Sequence, residues 1–477
     1  MSKQPKITEN QTVMKQMFII VRGVFTLFFI VLILSSCTQN EWPQFLGPDS
    51  NMVITAKDLP EEWNDSLNIR WAIDMDGESW SSPIVLGDKI FISSALLVKK
   101  AERIEKAEEP AAAAPPRAEG VNNNTPPPPP PAEDKSYLED VYRWQITCVD
   151  AQSGKELWKK TAFEGNPRIK KHAGSTYACE TPVSDGKYIY VYYGMVGVYC
   201  YDLDGNLIWE KDLGVYETVN GWGTGSSPVL HNGLLYVVVD NEESSFMVAL
   251  ETQTGNEKWR INRDEKTNYG TPVIWKNTTG TELVVMGKTV RSYNPESGQL
   301  IWQLEAGGNY AIPSPVYNSE HIYLGNAGGP RETTTLFAVK AGASGDITPA
   351  EGQTTSEGVV WSNPETGISN PSPVLFNGLI YVVASRGGEV TCIDAANGEL
   401  KYKEKISKVG AVWASPWIYN NKLYFMDEKG VSRVLKTGSE FEVLGENAID
   451  DKFWASVVPT SNAYVFKGVE KLYCVAK

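Results

Sequence analysis

Seven times the chain sets Ser or Thr directly before a proline that opens an apolar run, at prolines 83, 182, 228, 272, 315, 373 and 416. Three residues ahead of those prolines stand Trp80, Cys179, Gly225, Tyr269, Ile312, Asn370 and Trp413. Trp454 holds the same place ahead of A-S-V-V at Ala455, with Glu180, Trp222 and Tyr310 close by in sequence. Indole and phenol rings offer flat apolar faces with a polar edge, which suits a sugar ring, a quinone or an apolar peptide side chain. The same rings also serve as packing, the commoner role of a large aromatic. R-I-K-K-H (Arg168–His172), Lys288, Arg331 and Arg386 add cations that could hold an acidic ligand, although exposed loops carry such charges as a matter of course.

Other chemistry is poorly represented. The three histidines, His172, His231 and His321, are scattered and do not have the spacing of metal ligands. There is no C-x-x-C, no G-x-S-x-G elbow, no phosphate loop and no zinc-binding helix. D-L-D-G-N at Asp202 lacks the remaining ligand ladder of a calcium loop and reads as a hairpin turn. The net charge of −14 argues against a phosphate backbone as partner, so no nucleic acid is expected.

The elements that must position the aromatic residues repeat. Most proline-to-proline steps are 43 to 46 residues, and the two long ones, 99 and 58, each contain an insertion. Within a unit an apolar run follows the proline, then a turn such as H-N-G-L or Y-N-N-K, then an alternating strand such as L-L-Y-V-V-V. A third strand ends in Asp, Glu or Asn, and after a Gly turn a fourth ends in Trp. Alternating β-rich segments joined by Gly, Asn and Asp turns are antiparallel hairpins, and four per period make a propeller blade. The unit starting near Phe453 has only three strands, while N-I-R-W (Asn68–Trp71) is a fourth strand with no unit before it. The expectation is an all-β, eight-bladed propeller of four-stranded antiparallel blades, its ring closed by the N-terminal strand. In an antiparallel blade the start of the inner strand faces the mouth of the central channel, so the residues ahead of each S-P should form an aromatic collar there.

C-V-D-A-Q-S-G-K-E-L-W (148–158), A-L-E-T-Q-T-G-N-E-K-W (249–259) and Y-N-P-E-S-G-Q-L-I-W (293–302) resemble the tryptophan-docking repeat of the pyrroloquinoline-quinone-like propellers. Trp71, Trp158, Trp209, Trp259, Trp302 and Trp361 occupy the docking place, and Tyr402 replaces the Trp in one unit. W-P-Q-F-L-G-P (Trp42–Pro48) is similar to the opening of bacterial BamB-like lipoproteins in this group. The resemblance implies a binding or scaffold protein with a role in outer-membrane protein assembly, holding an envelope protein or a small polar ligand. It also leaves an oxidoreductase using pyrroloquinoline quinone with calcium as a lesser alternative, and the aromatic collar leaves a carbohydrate-binding accessory protein as another. The adjacent cysteine pair that quinone enzymes of this fold carry is absent and their Glu, Asn and Asp calcium ligands have no identifiable counterpart, so no cofactor or metal is expected and an enzyme is the weaker reading.

The first 36 residues combine Lys3, Lys6, Lys15 and Arg22 with the apolar run V-F-T-L-F-F-I-V-L-I-L and end in L-S-S-C. A basic leader, a run too short to span a bilayer and small residues before a cysteine describe an export signal with Cys37 as the lipidated residue. Residues 37–64 then form a tether and opening segment and 65–477 a single propeller, lipid-anchored in the bacterial envelope at the periplasmic face of the outer membrane, and monomeric. The Pro- and Ala-rich stretch of about 99–136 cannot bury a core and is expected to be disordered or extended. The second insertion, about 342–357, is expected as a loop on the face away from the collar. Five cysteines follow Cys37, an odd number that argues against a full disulfide framework. Four of them, Cys148, Cys200, Cys392 and Cys474, share a repeat position with Ala249, Ser292 and Ala338 and are read as small packing residues.

Overall fold

The computed structural model describes residues 41–101, 135–308, 310–326 and 334–477. The expected export signal, Cys37, most of the Pro-rich insertion and Arg331 lie outside these residues. Eight antiparallel sheets follow one another around a central channel. Blades 1 to 7 begin with inner strands at Ile84–Leu86, Val183–Ser184, Val229–His231, Val273–Asn277, Val316–Tyr317, Val374–Phe376 and Trp417–Tyr419. Blade 8 takes Val458–Pro459, Tyr464–Lys467 and Lys471–Val475 from the C-terminal end and Ile69–Asp74 from the N-terminal part, the last pairing antiparallel with Lys471–Val475. The expected ring closure is present.

Local chemistry explains the hairpins. The turns after the inner strands of blades 3, 6 and 7 place Asn232–Gly233, Asn377–Gly378 and Asn420–Asn421 at positive φ. Two successive left-handed residues make the tight turn whose twist matches the flanking strands, and Asn and Gly tolerate that conformation best.

Seven of the eight outer strands carry the same device; that of blade 7, Val443–Ala448, has Gly445 opposite Val434 instead. Trp158 pairs with Cys148, Trp209 with Cys200, Trp259 with Ala249, Trp302 with Ser292, Trp361 with Ala338, Tyr402 with Cys392 and Trp71 with Cys474. A large ring on one strand needs a small residue opposite, so the four cysteines are buried and unpaired for that reason. A register shift sits at this place in every blade, and in five of them the bulge accompanies a tryptophan turned toward the neighbouring sheet. The indole N–H of Trp71 donates to Ala151 O at 3.1 Å, that of Trp158 to Leu203 O at 3.1 Å, and that of Trp209 to Thr252 O at 2.9 Å. Trp259 reaches Pro295 O at 3.1 Å and Trp361 reaches Ala395 O at 3.1 Å. In each case the ring lies on a glycine of the next blade: 154, 205, 255, 298 or 398.

Trp302 is a correction. Its indole N–H donates to Glu282 Oε2 of its own blade at 2.7 Å, not to blade 5. The second insertion is also more than a loop, since Gly345–Asp346 adds a fifth, parallel strand outside Trp302 and Gln303.

Candidate functional site

The chain runs down each inner strand, so the residue three places before the proline lies at the channel mouth and the Ser or Thr one place before it lies deeper. All eight collar positions, Trp80, Cys179, Gly225, Tyr269, Ile312, Asn370, Trp413 and Trp454, line one cavity of about 410 Å³. Trp80 and Trp454 meet with ring centroids 4.4 Å apart, across the seam between blades 1 and 8. Trp222 also lines the cavity, with Tyr310 packed on it at 5.2 Å, and the Arg386 guanidinium lies 5.7 Å from the Trp413 ring centroid.

Glu180 is the exception among the expected residues. Alternation along the strand turns Cys179 and Thr181 to the channel and Glu180 away from it. It is 2% exposed, with Oε1 unpartnered. Burial pushes its carboxyl up to about 7, and the neighbouring Thr224 hydroxyl offsets only part of that. The Cys179 thiol is likewise pushed up by burial and donates to Thr176 O at 3.2 Å, so it is a poor nucleophile. Burial also raises Tyr269 above the usual phenol range.

Below the collar runs a belt that sequence reasoning did not foresee. The backbone N–H of Ser82 donates to Thr181 Oγ1 at 3.0 Å, Thr181 to Ser227 Oγ at 2.9 Å, and Ser227 to Thr271 Oγ1 at 3.1 Å. Ser314 donates to Ser372 Oγ at 2.9 Å, Ser372 to Ser415 Oγ at 3.1 Å, Ser415 to Ser456 Oγ at 3.0 Å, and Ser456 back to Ser82 Oγ at 3.1 Å. The Ser or Thr before each proline is thus the clasp between inner strands. Only the step from blade 4 to blade 5 differs: there Ser314 Oγ donates to Thr271 O at 2.9 Å. The signal was in the sequence as the invariant Ser/Thr of the repeat, but a hydroxyl before a proline does not say which neighbour it serves.

The far end of the channel is closed by the opening segment. Trp42 and Val85 exchange backbone hydrogen bonds at 2.9 Å, Ser184 N–H donates to Pro43 O, Asn51 brackets the backbone of Leu375, and Ile418 pairs with Met52 and Ile54. The segment therefore crosses under blades 1, 2, 6 and 7, and Phe45 lines the cavity as its floor. Its last anchor is Trp63, buried against Trp417, Tyr424, Tyr464 and Phe466 between blades 7 and 8.

The basic loop 168–172 bends over the rim. Arg168 faces Asp212 at 3.6 Å and Lys171 faces Glu78 at 3.8 Å, so two of its cations are already balanced. His172 lines the cavity, edge-on to Trp222, and its Nδ1 accepts the Gly174 N–H at 3.0 Å. His231 and His321 lie on the opposite side, where burial and then Lys276 lower the His231 pKa. No group of three His, Cys, Asp or Glu side chains is placed to hold a metal among the described residues. Among the described residues, the lining of this cavity offers no carboxylate to a calcium ion.

Blade 1 rises above the rim. Its Lys89–Lys99, Val141–Asp150 and Glu156–Gly165 strands are 11, 10 and 10 residues long, against about five or six elsewhere. Leu97 and Val98 near the raised end are 40% and 43% exposed.

Comparison with known proteins agrees with this architecture. Residues 143–341 and 343–440 match the family described as outer membrane protein assembly factor BamB. The BamB of Moranella endobia is 26% identical over 277 residues, covering 53% of this chain and 60% of that protein. A polyvinylalcohol dehydrogenase of Pseudomonas is 22% identical over 345 residues, covering 58% of this chain and 52% of the enzyme. The chain thus spans little more than half the length of these curated relatives. The quinohemoprotein alcohol dehydrogenase of Comamonas testosteroni superposes with a TM-score of 0.56 at 10% identity over 93% of this chain and 81% of its own, which is a likeness of fold. With more than half its residues matched, and with tryptophan-docked blades closed by the N-terminal strand, the chain belongs to the BamB family of β-propellers.

Proposed function

We propose that this protein is a lipid-anchored scaffold of the bacterial envelope that holds a protein partner during outer-membrane protein assembly, with its anchor at Cys37 and its ring at the periplasmic face of the outer membrane. The observation that carries the reading is the raised hairpin of blade 1, which presents Leu97 and Val98 to solvent on the same face as the channel mouth. Apolar side chains held out on a rigid edge suit docking of another chain. Family membership supports it, because the name of the family is that of an assembly factor. A rigid ring clasped at every blade can hold a partner without losing its own shape on binding. The protein acts as a monomer in this reading, and catalysis plays no part in it.

The test is capture of tagged full-length protein from gently solubilised membranes, with partners identified by mass spectrometry. A barrel-assembly protein should be enriched over a Cys37→Ala control treated alike, and the double variant Leu97→Asp/Val98→Asp should lose it while keeping its melting temperature. Equal recovery with the wild type and both variants would refute the reading.

A further inference from the structure

The cup inside the ring is a separate feature from the raised hairpin, and its chemistry is specific. Among the described residues, no Asp, Glu, Lys or Arg side chain lines it. Its base carries seven hydroxyls, from Ser82 and Thr181 round to Ser456, each accepting a backbone N–H from the adjacent blade. Those oxygens are fixed in place, yet their protons have no acceptor among the described residues. All seven line the cavity, while Ser314, whose proton is used by Thr271 O, does not. Each hydroxyl keeps a free proton and a second lone pair, so it can donate or accept.

Higher up, the Asn370 side-chain amide and the Trp454 indole N–H make no hydrogen bond among the described residues, and the buried Trp80 N–H has none either. His172 uses Nδ1 as an acceptor, which leaves Nε2 as a donor. The walls are aromatic faces, and Phe45 closes the far end. A ligand for such a cup is neutral, has a flat apolar face for stacking, and has many groups that both donate and accept. Among the described residues a free anion would meet no Lys or Arg in the lining, and a purely apolar group would bury the hydroxyl belt unsatisfied, which costs free energy. The volume of about 410 Å³ lies in the range of small-ligand pockets.

We propose that the cup binds the end of a neutral saccharide, its ring face stacked on Trp454 and its hydroxyl groups meeting the Ser/Thr belt and Asn370. The site is independent of the partner-holding role, because it lies inside the ring rather than on the raised hairpin.

The test is calorimetric and tryptophan-fluorescence titration of the full chain, in a detergent without a sugar headgroup, with cellobiose and N,N′-diacetylchitobiose as probes. At least one should bind saturably with a change in tryptophan emission. Trp454→Ala should weaken that binding about tenfold, the value of one aromatic stack. Asn370→Leu should weaken it too, and because the Asn370 side chain makes no hydrogen bond among the described residues, its melting temperature should match the wild type. Trp361→Phe, remote from the cup, should bind as the wild type does. Flat titrations with both sugars overturn the proposal, as does unchanged affinity in both Trp454→Ala and Asn370→Leu. So does saturable binding of p-benzoquinone with no sugar signal. Partner capture by the Trp454→Ala protein should be normal in every case, which separates failure here from failure of the scaffold reading.

Discussion

Blades 2 and 3 meet through a docked tryptophan, and blades 4 and 5 do not, although the repeat places Trp209 and Trp302 at equivalent positions. Trp209 reaches Thr252 O and lies on Gly255, whose φ is +69° and where a Cβ would fall 2.7 Å from the ring. In blade 5 the place of that glycine is taken by Ser344, inside the second insertion. With no bare backbone to lie on, Trp302 stays in its own sheet, fully buried, and gives its N–H to Glu282. Glu282 also accepts Ser292 Oγ at 2.5 Å and Asn277 Nδ2 at 2.7 Å. Trp275 then supplies the bond across the interface, to Asn318 O at 2.7 Å. The blade 4 to blade 5 step is also where the hydroxyl belt changes its pattern. Docking is therefore a property of two blades: the tryptophan comes from one and the glycine turn from the next.

The comparison can be broken most severely at glycine. Gly255→Val places a β-branched side chain at positive φ and into the Trp209 ring, and should cost about 3 kcal/mol or more. Gly345→Ala, at φ +74° with nothing within 4 Å of the added carbon, should cost about 1 kcal/mol. Urea unfolding of the two variants measures the difference, and equal losses would mean that backbone conformation, not ring contact, makes the glycine necessary.

A second prediction concerns the buried acid beside the collar. The Glu180 pKa is raised in the folded protein from 4.5 to about 7, so the folded state holds a proton that the unfolded state gives up. Stability should therefore fall as pH rises from about 4.5 to 7 and level off above. Glu180→Gln should remove that loss, gaining on the order of 2 to 3 kcal/mol relative to wild type between pH 5 and pH 8. Parallel pH dependences of the two melting temperatures would sink the idea.

The smallest effect separates the two tryptophans themselves. Trp302→Phe removes a hydrogen bond to a buried carboxylate and should cost about 2 kcal/mol, whereas Trp209→Phe removes one to a backbone carbonyl and should cost about 1 kcal/mol. Denaturant midpoints decide it, and the reverse order would mean that the docked bond is the stronger.

The collar was legible because two regularities suffice to place it: a strand alternates, and every blade repeats. Those fixed all eight positions from Trp80 to Trp454 at the channel mouth. Glu180 was misplaced because sequence nearness overrode the alternation that turns it from its neighbours Cys179 and Thr181. Trp302 was misread because the repeat motif describes one blade, while docking depends on the next. Phe45 was missed as a floor because W-P-Q-F-L-G-P has no periodicity to say which blades it crosses.

The amino-acid sequence by itself determined what is local or periodic: four strands per unit, the Asn-Gly turns, the small residue opposite each tryptophan, and the closing strand at Asn68–Trp71. Only the tertiary structure decided which hydroxyl clasps which blade, that the opening segment closes the channel, and that the belt keeps its protons for whatever enters the cup. Those features depend on groups far apart in the chain, as Ser456 and Ser82 are, brought together only when the ring has closed.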